Sequence, residues 1–455
     1  MITKTTIAFF ALALMISTVA KAQSTNLDAY IQEAFKSNEN LKQHSIELEK
    51  SLYALKEAKT LFLPATTLGA NYMLAQGGRA ISLPLGDLMN PVYNTLNNLT
   101  ESQQFKPLSN TSENLNPTNF YDVKLHTSVD LYNKQNNYHK KIKEEQINIH
   151  KSNIAVYKRQ LVKEVKTAWF HYQQLLQERG IYQSALEMIC ESLRINEVLL
   201  KNGRIHETPV LRSQTERKGI ENLLVALEGK IKNAKAYFNF LLNKPLDSEI
   251  TVDDFSSSIQ LSPQELPAFQ LSSPNNSDKL DIARSFTRIA GLQYKMDKPG
   301  IYPTITTFID LGVQDFSWKV KKGSPYYVAG INMKWDIFTF GRNKYRAVQS
   351  ELGIKQTQSQ YHVTQQRIEL EERESETLCE TTFKNYTTTV SQIALAEKYY
   401  SDQLKIYKEG RLLYIELLDA QNQLTQIRIR RSVDFMSYQI AKAEFEHRKA
   451  LYKID

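Results

Sequence analysis

Two periodicities alternate along the chain. Leu161, Ala168, Leu175, Tyr182 and Ile189 stand seven residues apart, interleaved with Val165, Tyr172, Leu186, Leu193 and Leu200. A seven-residue apolar repeat is the seam of a left-handed coiled coil, and only Arg179 and Asn196 interrupt it. No proline occurs between Pro117 and Pro209, or after Pro325. The pattern predicts a helix from about Lys134 to Asn202, on the order of 100 Å long. A returning helix runs to about Asn243. A second pair covers Arg342 to Glu409 and Arg411 to about Tyr452.

Between the helices the period changes to two. From Asp122 to Tyr132, Val123, Leu125, Thr127, Val129 and Leu131 alternate with Lys124, His126, Ser128 and Asp130. From Tyr327 to Ile337, Ala329, Ile331, Met333 and Trp335 alternate with Gly330, Asn332, Lys334 and Asp336. Thr67 to Leu74 and Thr304 to Gly312 alternate more weakly. These four strands are close to the roughly 9–11 residues that cross a bilayer at a tilt. A soluble antiparallel sheet gives the same alternation.

The two halves align as a duplication. VDLYNKQNNYHKKI, from Val129, lies against WDIFTFGRNKYRAV, from Trp335, so that Asp130 faces Asp336, Tyr132 faces Phe338 and Asn137 faces Asn343. Gly203-Arg204 recurs as Gly410-Arg411, each pair interrupting a helical pattern. The first repeat spans residues 23–245 and the second 277–455, with a proline-bearing linker at 246–276. Each reads short helix, strand, loop, strand, long helix, Gly-Arg turn, long helix. The first short helix covers Leu27 to about Phe62 and the second about Ser277 to Asp297. Residues 75–120, rich in Gly, Pro, Asn and Ser, read as a long surface loop.

The N-terminus, MITKTTIAFFALALMISTVAKAQ, has a lysine, an apolar core and small residues at Ala20 and Ala22. It reads as a secretory signal occupying residues 1–22. No later stretch reaches the roughly 18 apolar residues of a membrane helix. The formal charge of +8 over 455 residues is spread without a basic, aromatic-laced run, which argues against nucleic acid. Cys190 and Cys379 sit at heights that differ by roughly 27 Å in the hairpin register. That is beyond disulfide reach, so both read as small buried hydrophobes. The histidines are scattered, with no metal-ligand pair, phosphate loop or nucleophile elbow. No cofactor or catalysis is expected.

Four strands cannot close a barrel in lipid, because an open edge leaves backbone groups unpartnered. Either the sheet is soluble or several protomers pool their strands. Three protomers give twelve strands, within the known range of about 8 to 26. Here the residues carry a resemblance. LDAYIQEAFKSNENL (from Leu27), then Leu63-Pro64, WDIFTFGRNK (from Trp335) and YKEGRLLYIELLDAQNQL (from Tyr407) resemble the TolC family of outer-membrane efflux and secretion channels. The resemblance covers essentially the whole chain after the signal.

It implies a mainly α protein with membrane β-structure: a homotrimer with a twelve-stranded barrel and a periplasmic α-helical tunnel. The trimer would sit in outer-membrane lipid and carry drugs or other small molecules outward. It would dock onto a periplasmic adaptor and an inner-membrane pump of the resistance-nodulation-division (RND) or ATP-driven (ABC) type. The resemblance places Gly203, Arg204, Gly410 and Arg411 at hairpin tips that meet the adaptor. The chain reversal by itself accounts for the glycines as helix caps, and a dipole partner at the helix end is the alternative role for the arginines.

By the same resemblance Glu416 and Asp419 form acidic rings at the pore entrance, and Tyr407 with Arg411 closes it; from spacing alone the two acids read equally as an ordinary solvated helix face. In the first repeat the corresponding positions are Pro209 and Arg212, without acids. Asp130 and Asp336 would face the barrel lumen, and Trp335, Tyr327 and Tyr72 the membrane interfaces. The alternatives are protein secretion by the same architecture and a periplasmic coiled-coil scaffold without a pore.

Overall fold

The computed structural model describes residues 25–116, 119–252, 278–298, 302–316 and 318–454. The signal at 1–22 and most of the linker at 246–276 lie outside them. The described elements are α1 (Thr25–Ser37), α2 (Glu39–Thr60), β1 (Ala65–Met73), β2 (Ala80–Leu83), α3 (Leu85–Leu99), β3 (Thr111–Asn114), β4 (Phe120–Tyr132), α4 (Lys134–Lys201), α5 (Thr208–Leu241), α6 (Asp278–Asp297), β5 (Thr304–Phe316), β6 (Pro325–Lys334), α7 (Arg342–Lys408) and α8 (Tyr414–Arg448). They divide between two compact units. One takes the described parts of Met1–Leu52, Glu145–Ile289 and Gly353–Asp455, and the other Tyr53–Glu144 and Ala290–Leu352.

The helical unit is built on the predicted seams. Leu161, Val165, Ala168, Trp169, Tyr172 and Leu175 of α4 are buried with Leu227, Ile231, Ala234 and Phe238 of α5 and with Leu27, Ile31 and Ala34 of α1. Tyr30 and Phe238 flank Trp169 at 5.5 Å between ring centroids. In the second repeat Phe383 of α7 packs on Tyr438 of α8, and Tyr386 on Phe435, both at 5.2 Å. Arg179, a break in the seam, turns outward to Glu228 at 3.4 Å. The first predicted short helix is two helices. Asn38 separates them, its side chain accepting from the Leu41 N–H at 3.1 Å and donating to the Leu241 carbonyl at 3.1 Å. Both cysteines are free thiols. Cys379 is buried but Cys190 is exposed, since it falls on the outer face of α4, one position beyond the buried Ile189.

An ion-pair cluster joins α4, α6, α7 and α8. Arg159 pairs with Asp278 at 2.8 Å, Lys163 with Glu444 at 3.0 Å and Lys166 with Glu446 at 2.5 Å, while Arg448 bonds Glu371. His447 lies among them with its Nδ1 buried and without a hydrogen-bond partner among the described residues. Burial pushes its imidazole down to about 4 from the ordinary 6.5, with Lys163 acting in the same direction, Glu444 opposing, and Arg448 and Lys279 adding to the depression. A group whose folded pKa is lowered leaves the unfolded chain binding more protons below its ordinary pKa. Stability present above pH 6.5 should therefore decline as pH falls towards 4. His447→Gln should flatten that limb of a stability–pH profile measured by urea unfolding. An unchanged profile would show that His447 does not set it.

The second unit centres on a four-stranded antiparallel sheet in the order β1-β4-β5-β6. β6 ends at Lys334, whose partner is Thr304. Pro303, just before β5, has no N–H with which to continue the ladder. Asp336, expected in a strand, consequently lies beyond it and is exposed. Residues 75–120, expected as an irregular loop, hold the β2–β3 ribbon and α3. Gly86 lies buried there, where any Cβ would stand 2.5 Å from the Leu108 carbonyl. Among the described residues no helix is long and apolar enough to cross a membrane.

Candidate functional site

The sheet has its polarity turned outside in. Leu68, Leu125, Leu311 and Tyr327 pair in one row across all four strands, and are exposed by 72%, 45%, 51% and 77%. Ile309, Ile331 and Met333 continue this apolar surface. The opposite face is polar and internally bonded. Asp310 pairs with Lys124 at 3.1 Å and with His126 at 2.5 Å. Tyr326 donates to Asp122 at 2.6 Å, and its ring lies across Gly312, where a Cβ would stand 2.8 Å from it. A soluble sheet does the reverse, burying its apolar face and wetting the polar one. A wall between lipid and an aqueous lumen requires what is seen.

Asp130 belongs to the polar face. It accepts from Thr306 at 2.8 Å, from Asn133 at 2.8 Å and from Asn136 at 3.0 Å, which ties the end of β4 to the start of α4. Asp336 shares neither the strand nor these partners. Tyr72 donates to Asn119 at 2.5 Å and stacks on Trp318 at 5.0 Å, with Tyr121 on Trp318 at 5.3 Å. Trp318 was not singled out from the sequence. It sits in the β5–β6 connection, where no period marks it. Tyr132 and Tyr302 meet at 6.1 Å at the opposite strand ends. Among the described residues both outer strands, β1 and β6, leave one edge unpaired.

The hairpin tips explain the recurring Gly-Arg pair. Gly203 has φ +66 and Gly410 φ +75. At the first tip the Gly203 N–H reaches the Leu200 carbonyl at 2.9 Å and the Arg204 N–H the Leu199 carbonyl at 2.9 Å. At the second, Gly410 reaches Tyr407 at 2.9 Å and Arg411 reaches Ile406 at 3.2 Å. This is the same Schellman cap twice, with glycine in its left-handed position. A Cβ at either glycine would meet nothing within 4 Å, so the requirement is purely one of backbone angle. Gly410→Ala should therefore cost about 1–2 kcal/mol through left-handed strain. Gly180→Ala, inside α4 and equally unobstructed, should gain about 0.5–1 kcal/mol. Chemical denaturation of the two variants checks the contrast. Equal effects would remove the backbone explanation.

Asn196, the other break in the seam, is a hub. It is fully buried. Its Oδ1 accepts from the Tyr407 hydroxyl, and its Nδ2 donates to Ser213 Oγ at 2.8 Å and to the Pro209 carbonyl at 3.3 Å. One turn earlier on α4, Ser192 Oγ accepts from Gln421 Nε2 at 2.8 Å. Ile189, Tyr407, Tyr414, Leu417 and Leu418 enclose these bonds in a small apolar cluster. The two hairpins are thus latched together beside their tips. Burial, and then the neighbouring Tyr414, pushes the Tyr407 hydroxyl up to about 12, so it remains a donor at any physiological pH.

Tyr407 and Arg411 do not bond each other within the chain. The buried Tyr407 faces Asn196, whereas Arg411 is exposed with its guanidinium 3.4 Å from Glu409. Arg204 is exposed. Glu416 and Asp419 stand on the solvent face of the first turns of α8, and neither has an ion pair among the described residues. At the first-repeat positions, Pro209 stands in the first turn of α5 and Arg212 pairs with Glu216 at 2.6 Å. Among the described residues no three metal-ligating side chains converge.

No protein-family profile matches the chain, and no curated protein matches it in sequence. Solved structures match it along almost its full length. The outer-membrane protein VceC of Vibrio cholerae superposes with a TM-score of 0.71 at 14% identity, over 93% of this chain and 95% of that one. CusC, solved in a study of transmembrane channel formation, gives 0.74 at 15% identity, over 94% and 92%. The open state of the MtrE outer-membrane channel of Neisseria gonorrhoeae gives 0.70 at 14% identity, over 93% and 88%. The chain therefore has the TolC-like outer-membrane channel fold.

Proposed function

We propose that the protein is the outer-membrane channel of a tripartite export system. Three copies pool their strands into a twelve-stranded barrel, continued by the hairpins as a periplasmic tunnel. The tunnel carries small molecules outward from a periplasmic adaptor and an inner-membrane pump. The observation that carries this reading is the sheet: its apolar face exposed, its polar face bonded, both edges open. In a bilayer each unpaired backbone group costs several kcal/mol, so such a sheet requires further strands. Copies of itself supply them with the correct polarity.

Purified protein should run as a trimer in detergent and open ion-conducting pores in planar bilayers. A monomer that needs no detergent would return the sheet to a soluble domain.

Within this reading Glu416 and Asp419 form stacked carboxylate rings at the tunnel entrance. Repeated in three copies, such rings concentrate cations and repel anions. Glu416→Gln with Asp419→Asn should lower the cation preference of single-channel currents and relieve block by multivalent cations. Unchanged reversal potentials under a salt gradient would remove both residues from the entrance. Arg204 and Arg411, exposed beside the capped glycines, are the adaptor-facing groups of the tips. Asp130 lines the lumen. Asp336, beyond the end of β6, sits at its rim.

A further inference from the structure

Helix α3 faces the wrong way for a helix of a solitary chain. Its inner side carries asparagines. Asn90 donates to the Leu108 carbonyl at 2.9 Å and accepts from the Leu108 N–H at 2.7 Å. Asn97, two turns on, does the same with Phe105 at 2.9 and 3.0 Å. Tyr93 packs on Phe105 at 5.6 Å between them, and Asp87 bonds Asn110 at 2.9 Å. Each amide makes the two-way bridge that a strand residue makes to its neighbour, so the helix is held at fixed rotation on residues 105–110.

That rotation turns the apolar side out. Leu85, Met89, Val92, Leu96 and Leu99 follow one another at spacings of four, three, four and three. All but the half-buried Leu96 are exposed, and Leu88 beside them is exposed as well. A narrow stripe at this spacing is a coiled-coil seam, which receives another helix.

The chemistry around the stripe selects the occupant. α3 contains no lysine or arginine, and its one charged residue is Asp87 in the first turn. It therefore lacks the basic flank by which an amphipathic helix holds anionic lipid headgroups. It offers nothing to a charged partner, yet its neutral Asn, Thr and Tyr flanks set no like charges against a copy of itself. Its sequence is also a poor helix former, with Gly86, Pro91 and four asparagines. A seam buried between copies offsets that weakness. Finally, α3 belongs to the same compact unit as the sheet whose open edges call for copies of this chain.

We infer that α3 is a homotypic assembly element: its apolar seam packs against α3 of neighbouring copies of this chain. The inference rests on the oligomeric reading above. It adds a second contact between protomers, one that involves no sheet edge.

Site-directed cross-linking tests it in the full-length protein with Cys190 and Cys379 replaced by alanine. Met89→Cys and Val92→Cys each lie on the seam; Asn94→Cys lies on the far side of the same helix and is exposed. A disulfide needs Cα atoms within about 7 Å. Mild oxidation of the assembled protein should give covalent dimers with Met89→Cys and Val92→Cys, and none with Asn94→Cys. Native oligomer without seam cross-links overturns the inference and leaves the channel reading standing. So does preferential reaction of the seam cysteines with a lipid-soluble maleimide, which would assign the stripe to the bilayer. A protein that is monomeric by mass overturns both.

Discussion

On the proposed channel reading, replacement of Leu311 by arginine is expected to keep the protein out of the outer membrane. Leu311 is the centre of the exposed apolar row that pairs Leu125 on one side and Tyr327 on the other. Arginine on the lipid face of a barrel costs about 2–4 kcal/mol near the bilayer midplane. Repeated in three copies, that is roughly 6–12 kcal/mol, as much as the stability of a whole domain. On a soluble sheet the same change would cost almost nothing, because Leu311 is already exposed to solvent within the chain. The variant therefore separates the two readings with opposite expectations. Gln314→Arg, on the polar face of the same strand and also exposed, is the control and should be tolerated. Membrane fractionation and the yield of detergent-stable trimer are the measurements. Equal yields from the two variants would mean that lipid does not touch the Leu311 face.

The second large effect is expected at the latch between the hairpins. Asn196→Leu orphans the buried Tyr407 hydroxyl and withdraws one partner from Ser213, at about 1–3 kcal/mol for each buried group left unsatisfied. Tyr407→Phe alone orphans the Asn196 carbonyl oxygen at a similar cost. The double variant should recover much of the loss, since replacing both partners of a buried bond with apolar groups comes close to neutral. Strong non-additivity in denaturant unfolding is thus the expected signature. On the proposed channel reading, the single variants should also raise conductance, because they loosen the bond that holds the two hairpins together beside their tips. Simple addition of the two costs would show that Tyr407 and Asn196 are not energetically coupled.

Asn196 also shows how much of this site was legible. The heptad pattern marks it as a break in a seam, and the structure makes it a buried partner of Tyr407 on the other hairpin. What the pattern could not supply was its partner. The resemblance marks Tyr407 but pairs it with Arg411, close in sequence and opposite in character. The Schellman cap puts Arg411 at the tip's surface, while Tyr407, three residues before the glycine, turns inward. A bond between residues so distant in the chain depends on how two hairpins are aligned along each other. No local propensity encodes that alignment.

The sheet divides in the same way. Alternation along Asp122 to Tyr132 identified its two faces, including Lys124 and His126 on the polar one. It did not say which face is covered. Asp310, which joins those two residues, lies on a strand whose alternation is weak. The Gly, Pro and Asn that dominate residues 75–120 predict an irregular loop. Those same asparagines hold α3 in place by bonding the backbone of residues 105 and 108, a use of the side chain that composition cannot reveal.

Taken by itself, the sequence determined the periodic elements: the long hairpins, the strands and the glycine at each tip. All of these follow from near-neighbour sterics and from the spacing of apolar side chains. Only the tertiary structure decided which face of the sheet is bare, which polar residues meet across the hairpins, and where α3 points. Those outcomes depend on packing between distant segments, where a buried bond is worth making only if its partner is already in place.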